Sequence, residues 1–145
     1  MKGIDVNAPI IPYEGLGGIG LYSAQEDLKD VLSLPSIISR TYFERTIRYE
    51  IPDIALLFFD IEKNKLFKIT ATGKYQGMVF GKIRIGMTEE ELLEAEPSFV
   101  YDDFEEVWIS NKGIFIEMDP ETNRVMWISV FIPELDTEDF EKGNW

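Results

Sequence analysis

Apolar and polar residues alternate along several parts of this chain, and such alternation is typical of β-strands. Period-two alternation places successive side chains on opposite faces of a sheet. A first group of predicted strands covers residues 41–50, 54–61 and 65–72. A second group covers residues 99–101 with 105–111, then 114–118 and 124–132. The pattern therefore predicts two groups of three strands.

A short helix is predicted before each group of strands. Ser23-Ala24-Gln25-Glu26 and Thr88-Glu89-Glu90-Glu91 are both typical of a capping box, in which a hydroxyl and a carboxylate three residues later bond to free amides at the start of a helix. Each helix is expected to end before a proline, Pro35 or Pro97. The short segments Ile19-Gly20-Leu21 and Ile83-Arg84-Ile85 are predicted strands that lead into the two boxes.

The similarity of the two halves predicts an internal repeat. It extends to the turns Asp60–Lys65 and Asp119–Arg124, each with Asp and Asn four residues apart before a basic residue. We predict an α+β fold in which two tandem helix-plus-three-strand repeats form one antiparallel sheet with both helices on one face. Residues 1–145 are expected to form a single domain, with repeats at about 17–73 and 81–132 and a C-terminal tail at 133–145.

The alternation in the second half also predicts what each face of the sheet carries. An aliphatic layer under the helices is expected to contain Val107, Ile109, Ile114, Ile116, Met118, Met126, Ile128, Val130 and Ile132. The opposite face is expected to contain Glu106, Trp108, Phe115, Glu117, Trp127, Ser129 and Phe131. Aromatic anchors with an acidic rim are typical of a protein-binding surface. The alternative is that these aromatic residues pack on one another or beneath Phe140 and Trp145 of the tail.

Charge is distributed unevenly along the chain, whose net charge is −13. Residues 1–84 carry 11 Lys/Arg against 10 Asp/Glu, whereas residues 85–145 carry 3 against 17. No basic residue lies between Arg84 and Lys112, a stretch with nine acids. Such a field repels nucleic acid and steers association with a basic partner. The alternative is that the acids only keep a small domain soluble.

These patterns select the candidate partner-binding residues. The acidic candidates are Glu89, Glu90, Glu94, Asp102, Asp103, Glu105, Glu106 and Glu117. The aromatic candidates are Trp108, Phe115, Trp127 and Phe131. Acids in the first turn of a helix also have a structural explanation, because the helix dipole favours carboxylates there.

Several classes of chemistry are excluded or disfavoured. The chain has no Cys and no His, which removes disulfides, thiolate nucleophiles and the commonest general base and zinc ligand. The glycines of residues 15–20 precede a predicted strand, whereas a phosphate-binding loop follows one. We therefore expect no catalytic residues, no metal site and no cofactor. The sequence shows no signal peptide and no long apolar run, so a cytoplasmic protein without membrane contact is expected.

The segment from Gly81 to Leu92, which includes Gly86-Met87-Thr88, resembles the strand-to-helix opening of the BamE-like (SmpA/OmlA) proteins. Two such units in tandem resemble the β-lactamase inhibitor protein. The first half departs from the motif, with Leu21-Tyr22-Ser23 in place of Gly-Met-Thr. The resemblance implies a sheet whose open face binds another protein. A small, acidic, cytosolic binding protein is also similar in type to bacterial toxin immunity proteins.

The functional prediction is a non-enzymatic inhibitor, most concretely an immunity protein that blocks a cationic bacterial toxin, with a nuclease as the expected target. Its acids would mimic phosphates, and its aromatic residues would supply buried anchors. The alternative is a structural or assembly module that forms a homodimer through the open sheet face. A metal-dependent hydrolase is a third and weaker alternative.

Overall fold

The computed structural model describes residues 4–42 and 44–145, and its architecture is mainly β. The strands are β1 (Gly15–Leu16), β2 (Ile19–Gly20), β3 (Ile38–Tyr42), β4 (Thr46–Ile51), β5 (Ala55–Asp60), β6 (Lys65–Ala71), β7 (Val100–Asp102), β8 (Val107–Ser110), β9 (Ile114–Met118) and β10 (Val125–Phe131). Strands β1 and β2 form a two-stranded sheet. The other eight form one antiparallel sheet in the order β3-β4-β5-β6-β10-β9-β8-β7.

The helices are short. A 3-10 turn at Gln25–Leu28 leads into α1 (Lys29–Leu32), and α2 covers Glu89–Ala95. A second 3-10 turn at Pro133–Asp136 precedes α3 (Glu138–Glu141). No helix in residues 4–42 or 44–145 is long and apolar enough to cross a membrane.

The predicted fold of two helix-plus-three-strand repeats is wrong, although the predicted antiparallel sheet is confirmed. The sheet consists of two four-stranded meanders that meet where β6 pairs with β10. The first predicted helix is half 3-10 helix, and Ile83 forms only an isolated bridge to Val79 instead of a strand of the sheet. The molecule is a large sheet with small helical segments, not an α+β repeat.

The first half gains its extra strand at a turn inside the predicted strand 41–50. The backbone reverses there, since the Arg45 N–H donates to the Tyr42 carbonyl at 3.2 Å and Glu44 has φ 63°. Phe43, which belonged to that predicted strand, lies outside the described residues. Glycine, asparagine and proline are the usual turn residues, and none of them is present here, so the turn has no sequence signal.

Only one of the two predicted capping boxes forms. At α2 the Thr88 hydroxyl accepts from the Glu91 N–H at 3.1 Å, and the Glu91 carboxylate accepts from the Thr88 N–H at 3.0 Å. In the first half the cap is shifted by one residue, because the Asp27 carboxylate accepts from the Ala24 N–H at 2.9 Å. Ser23 instead donates its hydroxyl to the Gly20 carbonyl.

One face of the sheet forms the main core, and we call it the core face; the opposite face is called the open face. The buried side chains of the core face include Leu57, Phe59, Leu66, Ile69, Ile114, Ile116, Ile128 and Val130. Val31 of α1 and Leu92 of α2 belong to the same cluster. Burial of this contiguous apolar surface is the main stabilising contribution to the fold.

Strand β8 has the opposite orientation to the one predicted. Ser110 pairs with Ile114 across a three-residue turn, which places Trp108 opposite Ile116 on the core face and Ile109 opposite Phe115 on the open face. A register change of one residue exchanges the faces of every side chain in a strand. Trp108 is therefore separated from Phe115, with which it was predicted to share a face.

The aromatic residues of the open face pack on one another. The Phe115 and Phe131 rings stack with centroids 4.3 Å apart, and Tyr13 contacts Phe131 edge-on at 6.1 Å. In the tail, Phe140 and Trp145 stack on each other and both contact Phe67, whose ring centroid lies 6.3 Å from that of Phe58. Phe131 is 5% exposed and is thus not available as a surface anchor.

Glu96, which follows α2, is a buried carboxylate held by two lysines. The Ser98 hydroxyl donates to it at 2.7 Å, Lys112 lies at 3.2 Å and Lys82 at 3.5 Å. The Ser98 hydrogen bond, followed by that from Lys112, lowers the pKa of Glu96 to about 2. Because the folded pKa is lower than the ordinary value, the carboxylate stabilises the fold above its unfolded pKa, and this contribution is lost as the pH falls towards about 2.

Replacement of Glu96 by Gln is therefore expected to lower the melting temperature at neutral pH and to have little effect below pH of about 2. Thermal unfolding of both proteins over this pH range measures the difference. Glu94→Gln is the matched control, since Glu94 is exposed on α2, two residues before Glu96 in the chain. A deficit of the Glu96→Gln variant that stays constant down to the acid limit would contradict this role of the ionised carboxylate.

Candidate functional site: an acidic pocket at one end of the sheet

A pocket of about 760 Å³ lies where the β7–β8 hairpin, the β9–β10 turn and the start of α2 meet. Its volume is in the range of ordinary ligand pockets. Five carboxylates line it, namely Glu89, Glu105, Glu106, Glu117 and Asp119. Tyr101 and Trp108 form an aromatic wall, and no basic side chain of the described residues lines it. We call this site the acidic pocket.

Glu89 is positioned by the capping box of α2 and by the β9–β10 turn. It is the first residue of α2, directly after the N-cap Thr88. The Asn123 amide donates to the Glu89 carboxylate at 3.1 Å. Asn123 has φ 55° and its N–H donates to the Asp119 carbonyl at 2.8 Å, as the Asp–Asn turn pattern predicts. The turn and the helix thus fix this wall of the pocket.

The tip of the β7–β8 hairpin is built around Asp102. Its carboxylate accepts from the Phe104 N–H at 2.9 Å and from the Glu105 N–H at 3.1 Å. The Glu106 N–H donates to the Asp102 carbonyl at 2.8 Å, with Glu106 at φ 58°. These bonds give Asp102 a structural role, and they hold Glu105 and Glu106 at the pocket.

The aromatic wall is a cross-strand pair. Tyr101 on β7 faces Trp108 on β8, with ring centroids 5.1 Å apart and an interplanar angle of 63°. Trp108 is half-buried and packs against the core cluster, whereas Tyr101 is 43% exposed. The pocket therefore combines an aromatic pair with carboxylates.

Burial perturbs one of the acids that line the pocket, Glu117. Burial raises the pKa of Glu117, and the nearby Lys68 ammonium partly opposes this effect. Burial also lowers the pKa of Lys68, opposed by the charges of Glu117 and Glu105. A cationic group that enters the pocket would favour the ionised form of Glu117 in the same way.

The structure brings together five of the predicted site residues: Glu89, Glu105, Glu106, Trp108 and Glu117. The others lie apart from them. Glu90 and Glu94 are exposed on α2, and Asp103 is exposed at the hairpin tip. Trp127 lines a second pocket of about 550 Å³ on the open face, together with Arg48 and Leu56. Phe115 and Phe131 pack within the protein, as described above.

Sequence reasoning missed Tyr101 and Asp119. Tyr101 faces Trp108 across the β7–β8 hairpin, and the hairpin register would have identified it. Asp119 was predicted only as a turn residue. Its turn contacts the start of α2, where the Asn123 amide donates to Glu89. Among the described residues, no group of three or more Asp or Glu side chains is arranged to hold a metal ion.

The class of structure is thus an open antiparallel sheet of eight strands with short helices and an acidic pocket at one end. No family model and no curated protein matches the chain. Among solved structures it is similar to a cysteine-rich secretory protein from Staphylococcus aureus subsp. aureus Mu50, with a TM-score of 0.51 and 11% identity.

That similarity covers 90% of this chain and 49% of the other, so this chain spans about half the length of its structural neighbour. Identity this low shows a shared fold alone. It bears neither on the BamE-like resemblance nor on the similarity to immunity proteins, and both stay predictions.

Proposed function

We propose that this chain is a non-enzymatic binding protein that inhibits a basic partner, most concretely a cytoplasmic immunity protein against a cationic bacterial toxin with nuclease activity. One observation carries the proposal: the acidic pocket gathers five carboxylates beside Tyr101 and Trp108 without a basic side chain among the described lining residues. Five carboxylates without a lining base give the pocket a negative potential, which attracts a cationic partner.

The pocket favours an arginine or lysine side chain of the partner as its occupant. Carboxylates bind guanidinium groups through paired, charge-assisted hydrogen bonds, and Glu105 and Glu106 are adjacent acids held by one rigid turn. The face of a Trp ring attracts cations, which gives Trp108 a second contribution to affinity. In a nuclease, the side chains that bind substrate phosphates are of this type. The acids of the pocket would occupy them as phosphate mimics.

The test is recovery of the partner followed by an inhibition assay. Tagged protein is incubated with lysate of its source organism at low salt and at high salt, and bound proteins are identified by mass spectrometry. We expect to recover one basic protein in stoichiometric amount, with weaker binding at high salt. The activity of that purified protein on nucleic acid should be blocked by an equimolar amount of this chain. A captured protein that retains full activity in the complex would contradict the inhibitor role. Recovery of the bait alone, sedimenting as a dimer, would favour the self-associating module.

A further inference from the structure

The other half of the open face carries a row of three basic side chains. Arg40 on β3 pairs with Arg48 on β4, Arg48 with Phe58 on β5, and Phe58 with Lys68 on β6. These residues follow one line across four neighbouring strands, which lie about 4.8 Å apart. We call this arrangement the basic row. The sequence did not predict this row, because residues 41–50, which include Arg48 and begin directly after Arg40, were assigned to a single strand. Arg40 and Arg48 were therefore not expected to face each other on neighbouring strands.

No member of the basic row forms an ion pair within the described part of the chain. Like charges directly opposite each other on neighbouring strands are destabilising, and Arg40 and Arg48 are such a pair. The chain has 27 acids for 14 bases. Nevertheless, none of the ion pairs among the described residues involves a member of the row. Arg45, in contrast, bonds to Asp60 at 2.9 Å.

Aromatic rings accompany the cations. The Arg48 guanidinium lies 5.2 Å from the centre of the Tyr42 ring, and the Lys68 ammonium lies 5.0 Å from that of Phe58. Arg40 is exposed, whereas Arg48 and Lys68 are half-buried. Ring faces hold the two half-buried cations in place but do not supply a counter-charge. Glu117 and Glu105 act on Lys68 only from beyond ion-pair distance.

We propose that the basic row binds a short acidic peptide segment of a partner protein, at a surface distinct from the acidic pocket. Arg40 and Arg48 together suit one carboxylate, because two guanidinium groups on adjacent strands can both donate to it. Lys68 suits a second carboxylate about 10 Å from Arg48, the distance across two strand spacings. In an extended segment, acids two or four positions apart point to the same side and lie about 7 or 14 Å apart, a range that brackets this distance.

Charge complementarity selects a short segment rather than a long polyanion. The row ends at Lys68, and the sheet beyond it carries Glu117 and the acids of the β7–β8 hairpin. A nucleic acid strand that continued past the row would meet these carboxylates and be repelled. A peptide with only two or three acids neutralises the three basic side chains of the row and ends before it reaches these carboxylates.

The test uses fluorescence anisotropy with a short labelled peptide that alternates glutamate and serine, compared with its glutamine counterpart. At low salt the full-length protein is expected to bind the glutamate peptide and not the glutamine peptide. Arg40→Gln and Lys68→Gln are each expected to weaken binding about tenfold, the effect of losing one charge-assisted hydrogen bond. Arg40 is exposed, so its substitution tests the proposal even if the Lys68 variant fails to fold.

Arg84→Gln is the matched control, because it removes the same charge from an exposed residue outside the row. Equal weakening by Arg84→Gln, or no binding of the glutamate peptide by the wild-type protein, would overturn the proposal. Tighter binding of a labelled oligo(dT), lost in the same row variants, would also overturn it by identifying single-stranded nucleic acid as the ligand. Glu89→Gln and Glu106→Gln, which change the acidic pocket, should leave peptide binding intact, so this test is independent of the proposed inhibitor role.

Discussion

Replacement of Phe59 by Ala is expected to lower the free energy of unfolding by about 3–5 kcal/mol, the usual cost of truncating a buried aromatic side chain. Phe59 lies on the core face of β5 and has no exposed surface. Its ring meets the Tyr49 ring of β4 edge-on, with centroids 5.8 Å apart. The substitution removes this contact and leaves a cavity in the cluster that α1 and α2 cover.

Urea unfolding followed by circular dichroism measures this loss, and Phe104→Ala is the control of the same residue type. Phe104 is 91% exposed at the tip of the β7–β8 hairpin, so its truncation should change the free energy of unfolding by less than about 0.5 kcal/mol. Comparable losses in the two variants would show that the hairpin tip is packed in solution. That result would contradict the arrangement described for the pocket.

The parts of the fold predicted well are those where local pattern and tertiary packing agree. The predicted strands 54–61, 65–72, 114–118 and 124–132 each contain one strand of the sheet. Their alternation is regular because one face of each strand is buried in the core. The two Asp–Asn turns were also predicted correctly, with Asn64 and Asn123 at φ 53° and 55°.

The errors arise where long-range contacts override the local signal. A turn that includes Glu44 at φ 63° divides one predicted strand into β3 and β4, although Glu is not a turn residue by composition. The first predicted helix becomes partly a 3-10 turn. Its start is fixed by distant contacts, since the Asn64 side chain accepts from the Gln25 N–H at 2.9 Å. No property of residues 23–34 alone encodes that bond.

The acidic pocket could be predicted in composition but not in geometry. Charge counting selected Glu89, Glu105 and Glu106, and the structure places them together around one pocket. Trp108 was selected for a binding surface on the open face. The three-residue turn after Ser110 sets the register of β8 so that Trp108 lies on the core face instead, where it lines the pocket. Asp102 was selected as a partner-binding acid, whereas its carboxylate is occupied by the backbone of the hairpin. Charge alone does not distinguish these roles.

Replacement of Glu89, Glu105 and Glu106 together by Gln is expected to slow association with the basic partner about tenfold or more at low salt. These three acids line the pocket and are not matched there by a base among the described residues. Long-range attraction acts mainly on the encounter rate, so the dependence of the association rate on salt should become flatter. Asp102 is left unchanged in this variant, because its loss would remove the hydrogen bonds that hold the hairpin. The effect of that structural change on association would then be mixed with the effect of charge.

Stopped-flow or surface-plasmon measurements over a range of salt concentrations separate this effect from a general loss of charge. The control variant carries Glu14→Gln, Asp30→Asn and Glu62→Gln, three exposed acids of the first half whose removal changes the net charge equally. If attraction is focused at the acidic pocket, the control retains most of the association rate and of its salt dependence. Equal losses in both variants would assign the attraction to net charge alone, and the pocket would then have no special role in recognition. The position of the acids, and not only their number, is therefore what this comparison measures.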